Sequence, residues 1–326
     1  MPSTSLVPQI SYLHALVLGL IQGATEFLPV SSTGHMRVIP ALLHWEDPGA
    51  AFSAVVGLGP IFAIIAYFRA DLARYVAGIM RTPGKSGNKP ADVDARLGWF
   101  ALIGTIPLAV AGLLLEKHVN TTFRSLNYVA GGLILFSIFL LIAERVGKRN
   151  RGLTTLTLTD TIVVGLAQVF ALVPGASRSG STITAGLFLN LDREAAARFS
   201  FLLSIPAITL AGLYKLYKVL KVTHLGPSAG PYLFATIVAA IVAYVVVSMF
   251  MGFLSDERHS TMPFIIYRIL LGIAILILVH TGYVKADAGM PPPDAPQASV
   301  VLHRPIVALT TSSTLCRTFV DNRRTL

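Results

Sequence analysis

Two stretches of this sequence carry reactive side chains inside apolar surroundings. Residues 22–35 read QGATEFLPVSSTGH and contain Glu26, Ser31, Ser32, Thr33 and His35. Glu26 is the only acidic residue among the first 45. A carboxylate there can act as a base or as a ligand for a hard cation. His35 can carry a proton near neutral pH or attack phosphorus directly, and Ser32 and Thr33 are donors or nucleophiles. Residues 174–182 read PGASRSGST, with Arg178 the only charge between 161 and 191. Gly175 and Gly180 allow a tight turn, while Ser177, Ser179, Ser181 and Thr182 supply donors. Helix-start amides with an arginine beside them form an anion cradle. The GxxxxGK[ST] signature of a P-loop is absent. One stretch thus offers an acid/base set and the other an anion clamp. A lipid phosphate or diphosphate is the anionic group that reaches such a site directly.

Plainer readings exist for each residue. Glu26 could form a structural ion pair with Arg178 or Arg268, and the second stretch could be a Ser/Gly packing loop. Packing does not require an arginine in lipid, where ionisable groups are costly and mark function. Arg268, which interrupts the last apolar span, reads as a structural or gating pair. His14 reads as a packing or interfacial residue.

The elements that position these residues are membrane spans. The chain is 54% hydrophobic and 13% charged, against about 25% charged in soluble domains. Residues 51–68, 97–115, 125–143 and 231–254 contain no Asp, Glu, Lys or Arg, and each approaches the ~20 residues of a spanning helix. Residues 199–214 and 262–284 are two further candidates. The net charge of +10 sits in short loops between spans, as the positive-inside bias produces, so nucleic acid is excluded as a partner. The basic loops 69–96 and 145–159 are expected in the cytoplasm and loop 36–50 outside. Cys316 is the single cysteine, so no intrachain disulfide forms. The early apolar segment lacks a basic leader and reads as part of the mature protein. Residues 286–326 are rich in Pro, Ala and Asp without periodicity and read as a disordered tail.

The sequence also repeats. GLIQGATEFLPVSSTGH (19–35) resembles GLAQVFALVPGASRSGS (165–181). Aligning Pro29 with Pro174 puts Ser32 on Ser177 and Thr33 on Arg178. The span order repeats too, giving two five-element halves of a broken hairpin and three spans: repeat 1 over about 10–145 and repeat 2 over about 155–285. An odd number of crossings per half inverts the second half, so that both hairpins meet near the midplane. Charge counting does not choose between re-entrant and spanning second hairpins, because Lys215, Lys218 and Lys221 exchange sides with Arg193, Arg198 and Arg258.

These residues resemble the undecaprenyl pyrophosphate phosphatase family of the bacitracin-resistance type. The resemblance covers roughly residues 10–285 and includes both motifs, DREAAARFSFLLSIPAI (192–208) and MPFIIYRILLGI (262–273). It implies an all-α polytopic membrane protein of about ten helices, an inverted repeat whose halves each begin with a re-entrant helical hairpin. Residues 1–285 would form a single catalytic domain. The implied activity is hydrolysis of undecaprenyl diphosphate to undecaprenyl phosphate and inorganic phosphate, recycling the carrier for peptidoglycan and conferring bacitracin tolerance. The implied place is the bacterial cytoplasmic membrane, with the site open to its outer face. The resemblance assigns catalysis to Glu26, His35, Ser32 and Arg178. It assigns substrate binding to Gln22, Ser31, Thr33, Gly175, Ser177, Ser179 and Gly180. A divalent cation, Mg²⁺, would be held by Glu26 with Gln22; many members have Glu where this chain has Gln22. Members often carry a polar residue near 57–60, where this chain reads VGLGPIF (56–62). The partners expected are a polyprenyl diphosphate, membrane lipid and, as an option, a second copy in a homodimer. The rival class is a lipid-phosphate flippase or transporter using the same midplane site. The clustering of acid, His, Ser and Arg favours the enzyme, since pure binding needs only the clamp.

Overall fold

The computed structural model describes residues 10–81, 90–115, 125–222 and 229–288. The single cysteine and all but the first residues of the expected tail lie outside them. Among the described residues the protein is all helical, with one isolated bridge between Arg151 and Leu191. The first hairpin is α1 (Tyr12–Thr25) and α2 (Ser32–Leu42). Then follow α3 (Gly49–Val56), α4 (Leu58–Tyr67), α5 (Arg69–Arg81), α6 (Pro90–Leu114) and α7 (Leu126–Val146). The second hairpin is α8 (Leu158–Gln168), a 3₁₀ turn (Val169–Leu172) and α9 (Arg178–Phe188). Three long helices complete the fold: α10 (Arg193–Val222), α11 (Ala229–Leu254) and α12 (Met262–His280).

Six segments are long and apolar enough to cross a bilayer: Gly49–Tyr67, Asp92–Leu114, Leu126–Val146, Arg193–Lys221, Ala229–Leu254 and Met262–His280. The hairpin helices α1 and α8 are apolar but too short to cross. This is a polytopic membrane protein. Its surface carries many exposed large apolar side chains, from Leu13 on α1 to Ile277 on α12. In lipid that exposure carries no penalty, and the helical form satisfies the backbone internally.

Two expected loops contain helix. Against the readings of 36–50 and 69–96 as loops, residues 36–42 belong to α2, residues 90–96 to α6, and residues 69–81 form α5. The buried stripe of α5 is only Tyr75 and Gly78, too narrow to stand out in a charged segment. Gly78 lets it lie close on α6, where an added Cβ would sit 2.6 Å from the Ala95 nitrogen.

Polar bonds gather at one end of the bundle. Buried Glu144 accepts from Arg193, Arg149 and Thr261. Arg151 pairs with Asp160 at 2.6 Å, and Arg198 reaches Asp71 at 3.3 Å. This end therefore holds the start of α8, the start of α10, the finish of α7 and the approach to α12. Other contacts mark the opposite end, where Tyr12 meets Phe234, His14 meets Trp45 with the rings tilted, and His44 faces Tyr283.

The two hairpins are locally equivalent, but in another register than the prolines suggest. Ser31 and Ser177 are both N-caps with positive φ, 74° and 68°. Each hydroxyl accepts from the amide three residues on, Gly34 at 3.3 Å and Gly180 at 3.1 Å. Ser31 therefore corresponds to Ser177, and Ser32 to Arg178. The proline alignment is off by one residue because the left-handed cap, not the proline, fixes where each helix starts. The same register pairs Gly19 with Gly165. A Cβ on Gly19 would lie 2.7 Å from the Ala235 oxygen, and one on Gly165 2.6 Å from the Gly104 oxygen. So α1 lies against α11 as α8 lies against α6.

Candidate active site

The tips of the two hairpins meet. Ser179 on the second donates to the Leu28 carbonyl on the first at 2.8 Å. Fully buried Arg268 on α12 binds both, donating to Pro29 O at 3.2 Å and to Gly175 O and Ala176 O at 2.9 Å. These carbonyls lie in non-helical loops and lack ladder partners, so a guanidinium with several donors satisfies them at once. The expectation of an ion pair for Arg268 fails: among the described residues it bonds carbonyls and no carboxylate.

Glu26 is the centre of the polar cluster. It sits just past the end of α1, so its side chain leaves the helix at the loop. Its Oε2 accepts from Gln22 Nε2 at 2.8 Å and from Ser32 Oγ at 2.6 Å. Its Oε1 lies 3.3 Å from Arg178 Nη2, the two side chains being 10% and 8% exposed. Gln22 is one helical turn before Glu26, and Ser32 is the first residue of α2. Arg178 is the first residue of α9, with its guanidinium 5.8 Å from the Phe27 ring centre. Its Nε and Nη1 are buried and have no hydrogen-bond partner among the described residues. A buried cation with two unused donors beside a carboxylate is matched by an anion with several oxygens.

The structure thus brings Gln22, Glu26, Ser32 and Arg178 into one cluster from two hairpins. The remaining residues stand differently. Ser31 and Ser177 spend their hydroxyls capping α2 and α9. Thr33 is exposed, 3.4 Å from Ser31 Oγ. Gly175 has φ 86° and packs against the α7 backbone at Val129. Gly180 leaves room for Arg268, where a Cβ would lie 2.7 Å from Nη1. His35 is buried, but its bonds go to the Ser31 carbonyl at 2.8 Å and the Tyr267 hydroxyl at 2.6 Å.

Sequence reasoning missed two neighbours. Tyr267 looked like any tyrosine in an apolar span. Gly57 breaks the first long span, and a Cβ there would be 3.5 Å from Gln22 Nε2. The signal for Gly57 was present, since it lies within 57–60, the stretch the family resemblance had singled out.

For a metal, the described residues contain no group of three or more His, Cys, Asp and Glu side chains. The site itself offers the Glu26 carboxylate, and its Gln22 contact has the amide nitrogen turned inward. Mg²⁺ commonly takes one or two carboxylates and fills its other positions with phosphate oxygens and water. One carboxylate fits a cation carried with a phosphate ligand better than a resident ion.

Residues 15–274 match the family model described as bacitracin resistance protein BacA. The chain is 44% identical over 281 residues to the undecaprenyl-diphosphatase of Myxococcus xanthus (strain DK1622), covering 86% of this chain and 93% of that protein. It is 47% identical over 283 residues to the undecaprenyl-diphosphatase of Pelodictyon phaeoclathratiforme (strain DSM 5477 / BU-1), covering 83% and 98%. It is 45% identical over 283 residues to that of Chloroherpeton thalassium (strain ATCC 35110 / GB-78), covering 84% and 99%.

Proposed function

This chain belongs to the bacitracin-resistance family matched along its residues 15–274, and from that premise we propose that it is an undecaprenyl-diphosphate phosphatase. It hydrolyses the diphosphate to undecaprenyl phosphate and inorganic phosphate, which recycles the lipid carrier and underlies bacitracin resistance. The observation that carries the reading is the cluster of Glu26, Ser32 and Arg178 at the meeting of the hairpin tips. The relatives' phosphatase names favour it over the flippase, which draws no support from them.

The terminal phosphate binds Arg178 through Nε and Nη1, assisted by amides at the start of α9. Ser32 Oγ attacks the terminal phosphorus and its proton passes to Glu26 Oε2. The bond from that phosphorus to the bridging oxygen breaks, and undecaprenyl phosphate leaves. Glu26 passes that proton to the departing undecaprenyl phosphate. Water then attacks the phosphoserine and gives its proton to Glu26, which returns it to Ser32 Oγ as the bond from phosphorus to Oγ breaks and inorganic phosphate is released. Phosphoryl transfer of this kind rests on positioning and charge stabilisation. Ser32 is preferred to His35 as nucleophile because Ser32 alone of the two touches Glu26. Gln22 holds the Glu26 carboxylate in place. A divalent cation, Mg²⁺ in the first instance, would be held by Glu26 with Gln22 beside it and would neutralise diphosphate charge.

The same proposal places the protein in the bacterial cytoplasmic membrane with the site open to the outer face. What supports the inverted repeat is the gathering of α8 and α9 ends with one polar rim and of α1 and α2 ends with the other. A homodimer is compatible with the single-chain fold, and cross-linking in membranes tests it.

The test is phosphate release from a long-chain prenyl diphosphate by purified protein, with Arg178→Ala and Glu26→Gln beside it. Losses of at least about a hundredfold are expected, in line with removal of a charge-stabilising donor. Wild-type protein that releases no phosphate with any cation, or variants that match it, would sink the reading. Release that stops in EDTA and returns with Mg²⁺ supports the cation; release that persists in EDTA removes it.

A further inference from the structure

The stretch MPFIIYRILLGI supplies one residue, Arg268, to the junction of the loops, and the chemistry above leaves its neighbour Tyr267 unused. The Tyr267 hydroxyl lies 2.6 Å from His35 Nε2. The two rings are nearly parallel, 8° apart with centres 5.6 Å apart. The other ring nitrogen, Nδ1, is 2.8 Å from the Ser31 carbonyl oxygen. A carbonyl only accepts, so Nδ1 carries the hydrogen, and in the neutral ring Nε2 is left as the acceptor. Tyr267 therefore donates to it. Both nitrogens of His35 are engaged, and neither partner is Ser32, Glu26 or Arg178.

What His35 holds is the turn that delivers Ser32. Ser31 has φ 74° and ψ 90°, a region that a non-glycine residue keeps only when its surroundings over-determine it. Its hydroxyl is held by the Gly34 amide and its carbonyl by His35. The next residue is Ser32, 2.6 Å from Glu26. Misplacing a reacting group by about 1 Å costs on the order of a hundredfold in rate.

We propose that Tyr267 is a positioning residue: its hydroxyl fixes the His35 ring against the Ser31 carbonyl and so holds Ser32 Oγ on Glu26. The proposal rests on the phosphatase reading. With it, α12 places both halves of the site through adjacent residues, Arg268 holding the loop backbones and Tyr267 the histidine. Tyr267 is 44% exposed, so the competing account is an ordinary interfacial tyrosine whose hydroxyl takes the nearest acceptor.

Tyr267→Phe keeps the ring and removes the donor. The full-length protein in detergent is assayed for phosphate release, and histidine side-chain ¹⁵N spectra are recorded, His35 being assigned by its loss in His35→Gln. The expected result is a kcat lower by about ten- to hundredfold, as for partners that orient a functional histidine. KM stays within about twofold, and the His35 Nε2 resonance moves. Wild-type kcat in the variant overturns the inference, as does lost activity with unchanged His35 resonances. If the wild-type protein itself releases no phosphate, it is the phosphatase reading that fails.

Discussion

At the scale of single residues, two of the buried arginines, Arg268 and Arg178, have opposite tasks. Arg268 has three carbonyl partners from both hairpins, whereas Arg178 keeps two donors without any partner among the described residues. Arg268→Met leaves three buried acceptors unpaired, each costing about 1–3 kcal/mol. Both thermal stability in detergent and activity should fall. Arg178→Met should lose activity by at least about a hundredfold while losing less stability than Arg268→Met, because the Glu26 carboxylate it leaves behind keeps two other donors, Gln22 and Ser32. Equal destabilisation of the two variants would refute this division. Ser32 and His35 divide in the same way. Ser32→Ala should abolish turnover and acid-quenched phosphoserine together, while His35→Gln should slow turnover and still accumulate the phosphoserine. A phosphoserine absent from wild-type protein under rapid quench would instead favour direct attack by water.

At the scale of elements, glycine contacts set how the short hairpin helices sit. The Cβ of a valine at Gly165 would press on the Gly104 carbonyl at 2.6 Å, whereas a Cβ at Gly131 meets nothing within 4 Å. Gly165→Val should cost about 1–3 kcal/mol by overpacking, and Gly131→Ala should leave melting in detergent unchanged; indistinguishable melting curves would rule out close α8–α6 packing as the constraint. The spans themselves were legible, because a charge-free window of membrane length has few other readings. Glu26 and Arg178 were legible as well, since a charge in lipid needs a reason. Less could be read where conformation decides. The register between the hairpins is set by positive φ at Ser31 and Ser177, and serine carries no compositional sign of it. The amphipathic α5 was hidden by a stripe of two buried residues among charges. Tyr267 was invisible because a tyrosine in an apolar span looks the same whether it anchors at the interface or donates to a histidine 232 positions away.

At the scale of the molecule, the question is which rim of the bundle faces the cytoplasm. The rim containing Glu144, Arg149, Arg151, Arg193 and Arg198 is dense in arginine, several of them paired with buried or half-buried carboxylates. Pairing reduces its net charge, but Arg145 and Lys148 on the same rim are exposed. By the positive-inside bias this rim is expected in the cytoplasm, and the rim with Trp45, Glu46 and Tyr283 outside. The hairpin of α1 and α2, with Glu26 and Ser32, would then enter from outside, and the hairpin of α8 and α9, with Arg178, from inside. Exposed Glu46 and Asn150 sample the two rims. With Cys316 replaced by Ser, Glu46→Cys should react with a membrane-impermeant maleimide in cells whose cytoplasmic membrane is intact. Asn150→Cys should react only after that membrane is opened. The reverse labelling would place the entrance for the lipid headgroup in the cytoplasm, and labelling of both in intact cells would mean that the chain inserts in two orientations. An outward entrance matters chemically, because a lipid diphosphate confined to one leaflet meets Glu26 and Arg178 only if the gap between the hairpins opens to that leaflet.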